Sequence, residues 1–165
     1  MDPILTPFSY NLFFRPKRVF IVHGRNHDVR NQVEALLAKY RVETVILDKQ
    51  LNRGDTIIEK FEKAARRVSM AIVILTPDDI GHRVGDEANA KPRARQNVIF
   101  ELGFFVGRMG RQRIVALYEG AVETPSDFDG VVYIERTDDD GWKSSVLDEL
   151  EGAGITVLRD LRITF

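Results

Sequence analysis

A chain of 165 residues, 44% of them hydrophobic, is long enough to build one globular domain around a sizeable core. Its formal net charge of −1 offers no bulk attraction to nucleic acid or to an anionic membrane. The absence of cysteine excludes disulfides, thiolate zinc sites and cysteine nucleophiles, and it fits a reducing cytoplasm.

Residues 1–16 form an apolar arm carrying Phe8, Tyr10, Leu12, Phe13 and Phe14, interrupted by Pro3 and Pro7. The arm lacks the basic start of a signal peptide, and no apolar run reaches the length of a membrane span. It reads as a segment packed onto the domain or, since aromatic side chains in a row mark interfaces, as a contact for a partner.

The domain proper, residues 17–154, opens with Arg18 to His23, a short β-branched run that predicts a buried strand. After Gly24-Arg25-Asn26, the positions Val29, Val33, Leu36, Leu37 and Tyr40 trace a helix that Asn26 or Asp28 can cap. Val42 to Leu47 predicts a second strand ending at Asp48, and the polar loop Lys49 to Gly54 follows. The next helix runs from about Thr56 to Arg67. Thr56 and Glu59 have capping-box spacing, and Ile57, Ile58, Phe61, Ala65 and Val68 supply its buried stripe.

Met70 to Leu75 is the most hydrophobic strand and therefore central, and Thr76-Pro77 stops it. Asp78 to Pro92 is polar and charged, a length that is usually functional in a compact domain. The helix from Arg93 to Gly110 lines one face with Val98, Leu102, Phe105 and Met109, and Glu101 lies on the flank of that stripe. A carboxylate there is either catalytic or a solvated or ion-paired flank residue. Gly103 and Gly107, four apart, suggest close approach of another backbone. Arg113 to Tyr118 and Val131 to Glu135 are the fourth and fifth strands. Asp138-Asp-Asp140 then caps a helix with Trp142, Val146, Leu147 and Leu150, and residues 155–165 form a tail or a short extra strand.

Strands alternating with helices predict an α/β three-layer sandwich, a five-stranded parallel sheet with helices on both faces. Ligands in such folds bind beyond the carboxyl ends of the strands, so Gly24, Arg25, Asp48, Thr76 and the loop feeding Glu101 should converge. Arg25, at a strand end beside a helix N-terminus, suits a pyrophosphate; its alternative is a surface ion pair with an acidic neighbour. Lys91, Arg93 and Arg95 read first as a solvated charge run and second as a subunit or phosphate contact. His23, His27 and His82 show no metal-ligand spacing, and Asp78-Asp79 reads as a turn rather than a magnesium site.

Four segments in this order resemble one family: Val19 to Arg25, Gly54 to Phe61, Leu75 to Asp79 and Arg93 to Phe105, with Pro125 to Gly130 similar to its late loop. It is the prokaryotic TIR-like predicted nucleotide-binding family, whose members include TIR domains of bacterial anti-phage effectors such as TIR-STING. The resemblance covers Lys17 to Glu151 and implies a flavodoxin-like (TIR-like) fold. It also implies cleavage of NAD to nicotinamide and an ADP-ribose product, with NAD as substrate and no cofactor or metal. Glu101 matches the catalytic glutamate, Arg25 a residue that helps hold the nucleotide, and Asp48 to Gly54 the BB loop bordering the site. Asn97 stands where animal TIR enzymes often carry tryptophan, so it joins the substrate-binding set without implying base stacking. The family further implies self-association through TIR–TIR contacts, and a sensor domain or protein outside this chain.

One carboxylate suffices for that reaction. Glycosidases need two carboxyl groups because a neutral sugar leaving group must be protonated. Nicotinamide leaves a cationic pyridinium as a neutral base, so only the developing ribose cation needs stabilising. Two other readings fit the same residues: a non-catalytic nucleotide-binding or assembly module, and a nucleoside deoxyribosyltransferase-like enzyme. A phospho-receiver does not fit, because Thr76-Pro77 stands where its phosphoacceptor aspartate belongs.

Overall fold

The computed structural model describes residues 18–47, 56–126 and 129–159. The apolar arm, the loop containing Asp48 and Gly54, and residues 160–165 lie outside the described residues.

Five parallel strands make the sheet: β1 (Arg18–Val22), β2 (Glu43–Val45), β3 (Met70–Leu75), β6 (Ile114–Tyr118) and β7 (Val132–Glu135), in the order β2-β1-β3-β6-β7. All six residues of β3 are buried, as expected of a central strand covered on both faces. Helices α1 (His27–Lys39) and α4 (Gly141–Gly152) cover one face, through a cluster that includes Val33, Leu37, Ile72, Val146 and Leu150. Helices α2 (Ile57–Ala65) and α3 (Gln96–Met109) cover the other, with Phe20, Phe61, Val73, Leu102 and Phe105. The expected flavodoxin-like (TIR-like) three-layer α/β architecture is therefore the observed one.

Local signals act where the sequence placed them. Asn26 accepts from the Val29 amide at 3.2 Å and caps α1. Thr56 and Glu59 form a reciprocal capping box on α2. At the far end of α2, Arg108 of α3 donates from Nε to the Ala65 carbonyl at 3.2 Å, satisfying one of that helix's free carbonyls. The start of α4 differs in detail. Asp140 is its N-cap residue but makes no capping bond; Asp139 accepts from Gly141 N at 3.0 Å and from Thr137 Oγ1 at 2.8 Å.

Three further expectations need correction. Residues 78–92 are not one irregular loop: β4 (Asp79–Gly81) and β5 (Lys91–Arg93) pair antiparallel, and β5 also meets Glu123 through a bridge from Arg93. Ile58 is 47% exposed, so α2 buries a narrower face than its period predicts. At Gly103 and Gly107 a Cβ would meet nothing among the described residues, so no backbone approaches there. Of the C-terminal segment, expected as a tail or a short extra strand, the described residues Ile155 to Arg159 carry no strand; Ile155 is buried and Leu158 N donates to Tyr40 O at 3.1 Å.

Candidate functional site

The sheet order places a topological switch at β1. Its neighbours are β2 on one side and β3 on the other, so the connections leaving β1 and β3 diverge and open a crevice at their carboxyl ends. The loop after β1 is His23 to Asn26, and the segment after β3 is Thr76 to Asp78.

Asp78 joins the two. Its Oδ2 accepts from the Arg25 backbone N–H at 2.9 Å, and its Oδ1 accepts from Thr76 Oγ1 at 3.0 Å. The carboxylate lies directly over Gly24, where a Cβ would stand 1.7 Å from Oδ2. Gly24 thus serves close approach rather than an unusual backbone angle, since its φ is not in the positive region. Next along the chain, Asp79 Oδ1 stands 3.3 Å from Arg25 Nη1. Arg25 therefore makes the acidic-neighbour pair that was the alternative to phosphate binding, although its side chain stays 65% exposed.

The predicted residues divide accordingly. Gly24, Arg25 and Thr76 come together around Asp78, at adjacent strand ends. Thr76 is 1% exposed, and its hydroxyl donates to Asp78. Asn97 is exposed in the first turn of α3, one turn before Glu101. Asp48 and Gly54 lie outside the described residues. Sequence reasoning took Asp78 for a turn residue. A glycine directly after a buried strand was the available signal that something packs there, but not what; its partner lies 54 positions away.

Glu101 is positioned by aromatic packing. Parallel β3 and β6 oblige the connecting α3 to run back antiparallel to them, so its first turns lie at the crevice end of the sheet. Phe105, one turn after Glu101, packs its ring 4.9 Å from Phe20 of β1 and 5.4 Å from Phe61 of α2. One helical turn rises about 5.4 Å and two strand residues about 6.6 Å. Glu101 is therefore nearly level with Val22, the last residue of β1. Its side chain is partly buried, and no hydrogen bond or ion pair to it forms among the described residues. Burial pushes its carboxyl up from 4.5 to about 7, against the opposing pull of the Arg95 charge. A half-buried carboxylate without a hydrogen-bond partner among the described residues, placed near the strand ends, makes Glu101 a candidate functional group.

Fold and site together define a flavodoxin-like α/β domain of the TIR type, with a carboxylate beside the β1–β3 switch point. A family model described as the TIR domain of CAP12/Pycsar effector proteins matches residues 18–138, and the chain belongs to this family of bacterial anti-phage TIR domains. It is 42% identical over 149 residues to YuaY, an uncharacterized protein of Escherichia coli K12, covering 89% of this chain and 50% of that one. It is 37% identical over 89 residues to the Pycsar effector protein BcPycTIR of Burkholderia cepacia, covering 49% and 28%. Among solved structures, a TIR-STING receptor from C. gigas, in complex with 2',3'-cGAMP, shares the fold at a TM-score of 0.58 and 13% identity, over 83% of this chain and 41% of that one. The chain thus spans half or less of the length of these proteins.

Proposed function

We propose that this domain cleaves NAD at its N-glycosidic bond, releasing nicotinamide and an ADP-ribose product, as the effector domain of an assembly-activated anti-phage protein. The observation that carries the reading is Glu101: partly buried, unpartnered among the described residues, titrating near neutrality and level with the end of β1. Membership of the TIR effector family supports it.

The chemistry follows from charge. As the C–N bond breaks, its electron pair passes to the nicotinamide nitrogen and neutralises the pyridinium, so no proton is needed there. Positive charge appears on the ribose, and the ionised Glu101 meets it in a site where partial burial strengthens the attraction. Water then attacks the anomeric carbon and loses its proton. A carboxylate titrating near 7 suits the base for that step. Arg25, with a largely exposed guanidinium just after β1, supplies a cation for the pyrophosphate.

Purified protein at high concentration should release nicotinamide from NAD, and Glu101→Gln should not. Full turnover by the Gln variant would remove Glu101 from the reaction. A second reading, a non-catalytic assembly module, is favoured by one observation. Ile80 and Val84 on the β4–β5 segment and Phe100 beside Glu101 are large apolar side chains exposed to water, the kind of surface that self-association covers. Oligomers that form with concentration but yield no product would select that reading.

A further inference from the structure

We propose that Asp78 is a positioning residue of the crevice: its carboxylate locks the backbone after β1 to the end of β3, and Gly24 lacks a side chain so that the lock can close. The activity part of this inference rests on the NAD-cleaving reading; the lock itself does not.

Three observations carry it. The two carboxylate oxygens are divided between the two loops, one on Arg25 N and one on Thr76 Oγ1. A backbone amide and a buried hydroxyl are thereby satisfied by one group, and each would otherwise be left without this partner near the strand ends. The space directly above Gly24 is taken by Asp78: the three nearest heavy atoms that a Cβ would meet all belong to its carboxylate. Finally, Gly24 is not in the positive-φ region, so an alanine there carries no left-handed backbone strain and its first clash is with Asp78. β1 and β3 are adjacent strands, paired from Val19↔Met70 to Val22↔Val73, and the lock joins Arg25 and Thr76, each three residues past the last rung. Phe20 of β1 packs on α3, so this fixes the Arg25 backbone relative to the helix that carries Glu101.

The lock depends on hydrogen-bonding shape, not on negative charge. An asparagine at 78 preserves it. Its Oδ1 accepts from Arg25 N, and its amide donates to Thr76 Oγ1 once that hydroxyl rotates. A group that sets its negative charge against a cationic substrate would not tolerate that exchange.

The test uses Gly24→Ala, Asp78→Ala, the double variant and Asp78→Asn, each followed by thermal unfolding and by steady-state nicotinamide release. Gly24→Ala expels the carboxylate and breaks the same two bonds that Asp78→Ala removes. Each should lower Tm by about 4–8 °C, and the double variant should melt no lower than either. Asp78→Asn should melt within about 2 °C of wild type, on the scale set by one net hydrogen bond. In turnover, Asp78→Ala should lose about tenfold to a hundredfold in kcat, as a misplaced crevice predicts, with Asp78→Asn restored to within about threefold of wild type. Additive losses of Tm, a silent Gly24→Ala, or an asparagine variant as impaired as alanine would each overturn the lock. Should Asp78→Ala fail to fold, Asp78→Asn and Gly24→Ala still decide it. If wild type releases no nicotinamide, the NAD reading fails while the melting experiments judge the lock separately.

Discussion

Phe105 and Phe20 hold their rings 4.9 Å apart, and each stands four residues from a crevice residue: Glu101 on the same helix, Gly24 in the loop after the strand. This contact sets the height of the candidate catalytic helix against the sheet. Phe105 also packs on Phe61 and Phe104 and is fully buried. Phe105→Ala should therefore lower stability by about 3–5 kcal/mol, measured by urea unfolding. A loss below about 1 kcal/mol would show that α3 is not anchored by this ring.

Stability should depend on pH through Glu101. Its carboxyl titrates near 7 in the folded domain, against an ordinary value of 4.5. Between those values the folded state binds more protons than the unfolded one, so stability falls as pH rises through that window. The loss is absent below about 4.5 and complete above about 7, at up to about 3 kcal/mol. Glu101→Gln, neutral throughout, should be more stable than wild type by about 1–3 kcal/mol at pH 8 and equal to it at pH 4. Urea midpoints across that range give the comparison. An unchanged difference between the two pH values would place the carboxylate in water.

The same ionisation should appear in turnover with the opposite sense. If the ionised carboxylate meets the ribose cation, kcat/KM rises with pH up to about 7 and is level above it. Arg95 favours the ionised form, so Arg95→Ala should move the midpoint of that rise upward. A pH–rate profile for both proteins settles the point. A wild-type profile flat from pH 5 to 8 would contradict it.

Arg25 and Asp79 form an exposed pair, whose worth to stability is small. Its effect should fall on substrate. Releasing the guanidinium with Asp79→Asn should lower KM for NAD by about threefold, and Arg25→Ala should raise it by about tenfold, both with unchanged melting. Equal KM values in all three proteins would remove Arg25 from the pyrophosphate.

Gly107 is exposed within α3, and no atom of the described residues lies within 4 Å of where its Cβ would be. Gly107→Ala should raise stability by up to about 1 kcal/mol, since helix propensity is then the only term that changes. Chemical denaturation measures it; destabilisation would reveal a close neighbour at that position.

That glycine also shows where the sequence stopped being legible. Periodicity located each strand of the main sheet and the four helices, because burial on one face repeats along a segment and is visible locally. Asn26, Thr56 and Glu59 were readable for the same reason: a cap acts within three residues. Spacing alone could not say whether Gly103 and Gly107 face a backbone or open space, because that depends on the neighbouring elements. The β4–β5 pair escaped because strands of three residues, one containing Pro92, carry no alternation to detect. At the site, Glu101 was legible through its motif and Gly24 and Arg25 through their place after a strand. Asp78 was not, since its role exists only once two distant loops meet.

The outer strands of the sheet have a consequence of their own. β2 has three residues and β7 four. An incoming extended chain would find little unpaired backbone on either border, too short a template for adding strands one after another. Short borders of this kind disfavour polymers joined edge to edge through the sheet and favour contacts through side chains on helices and connecting segments.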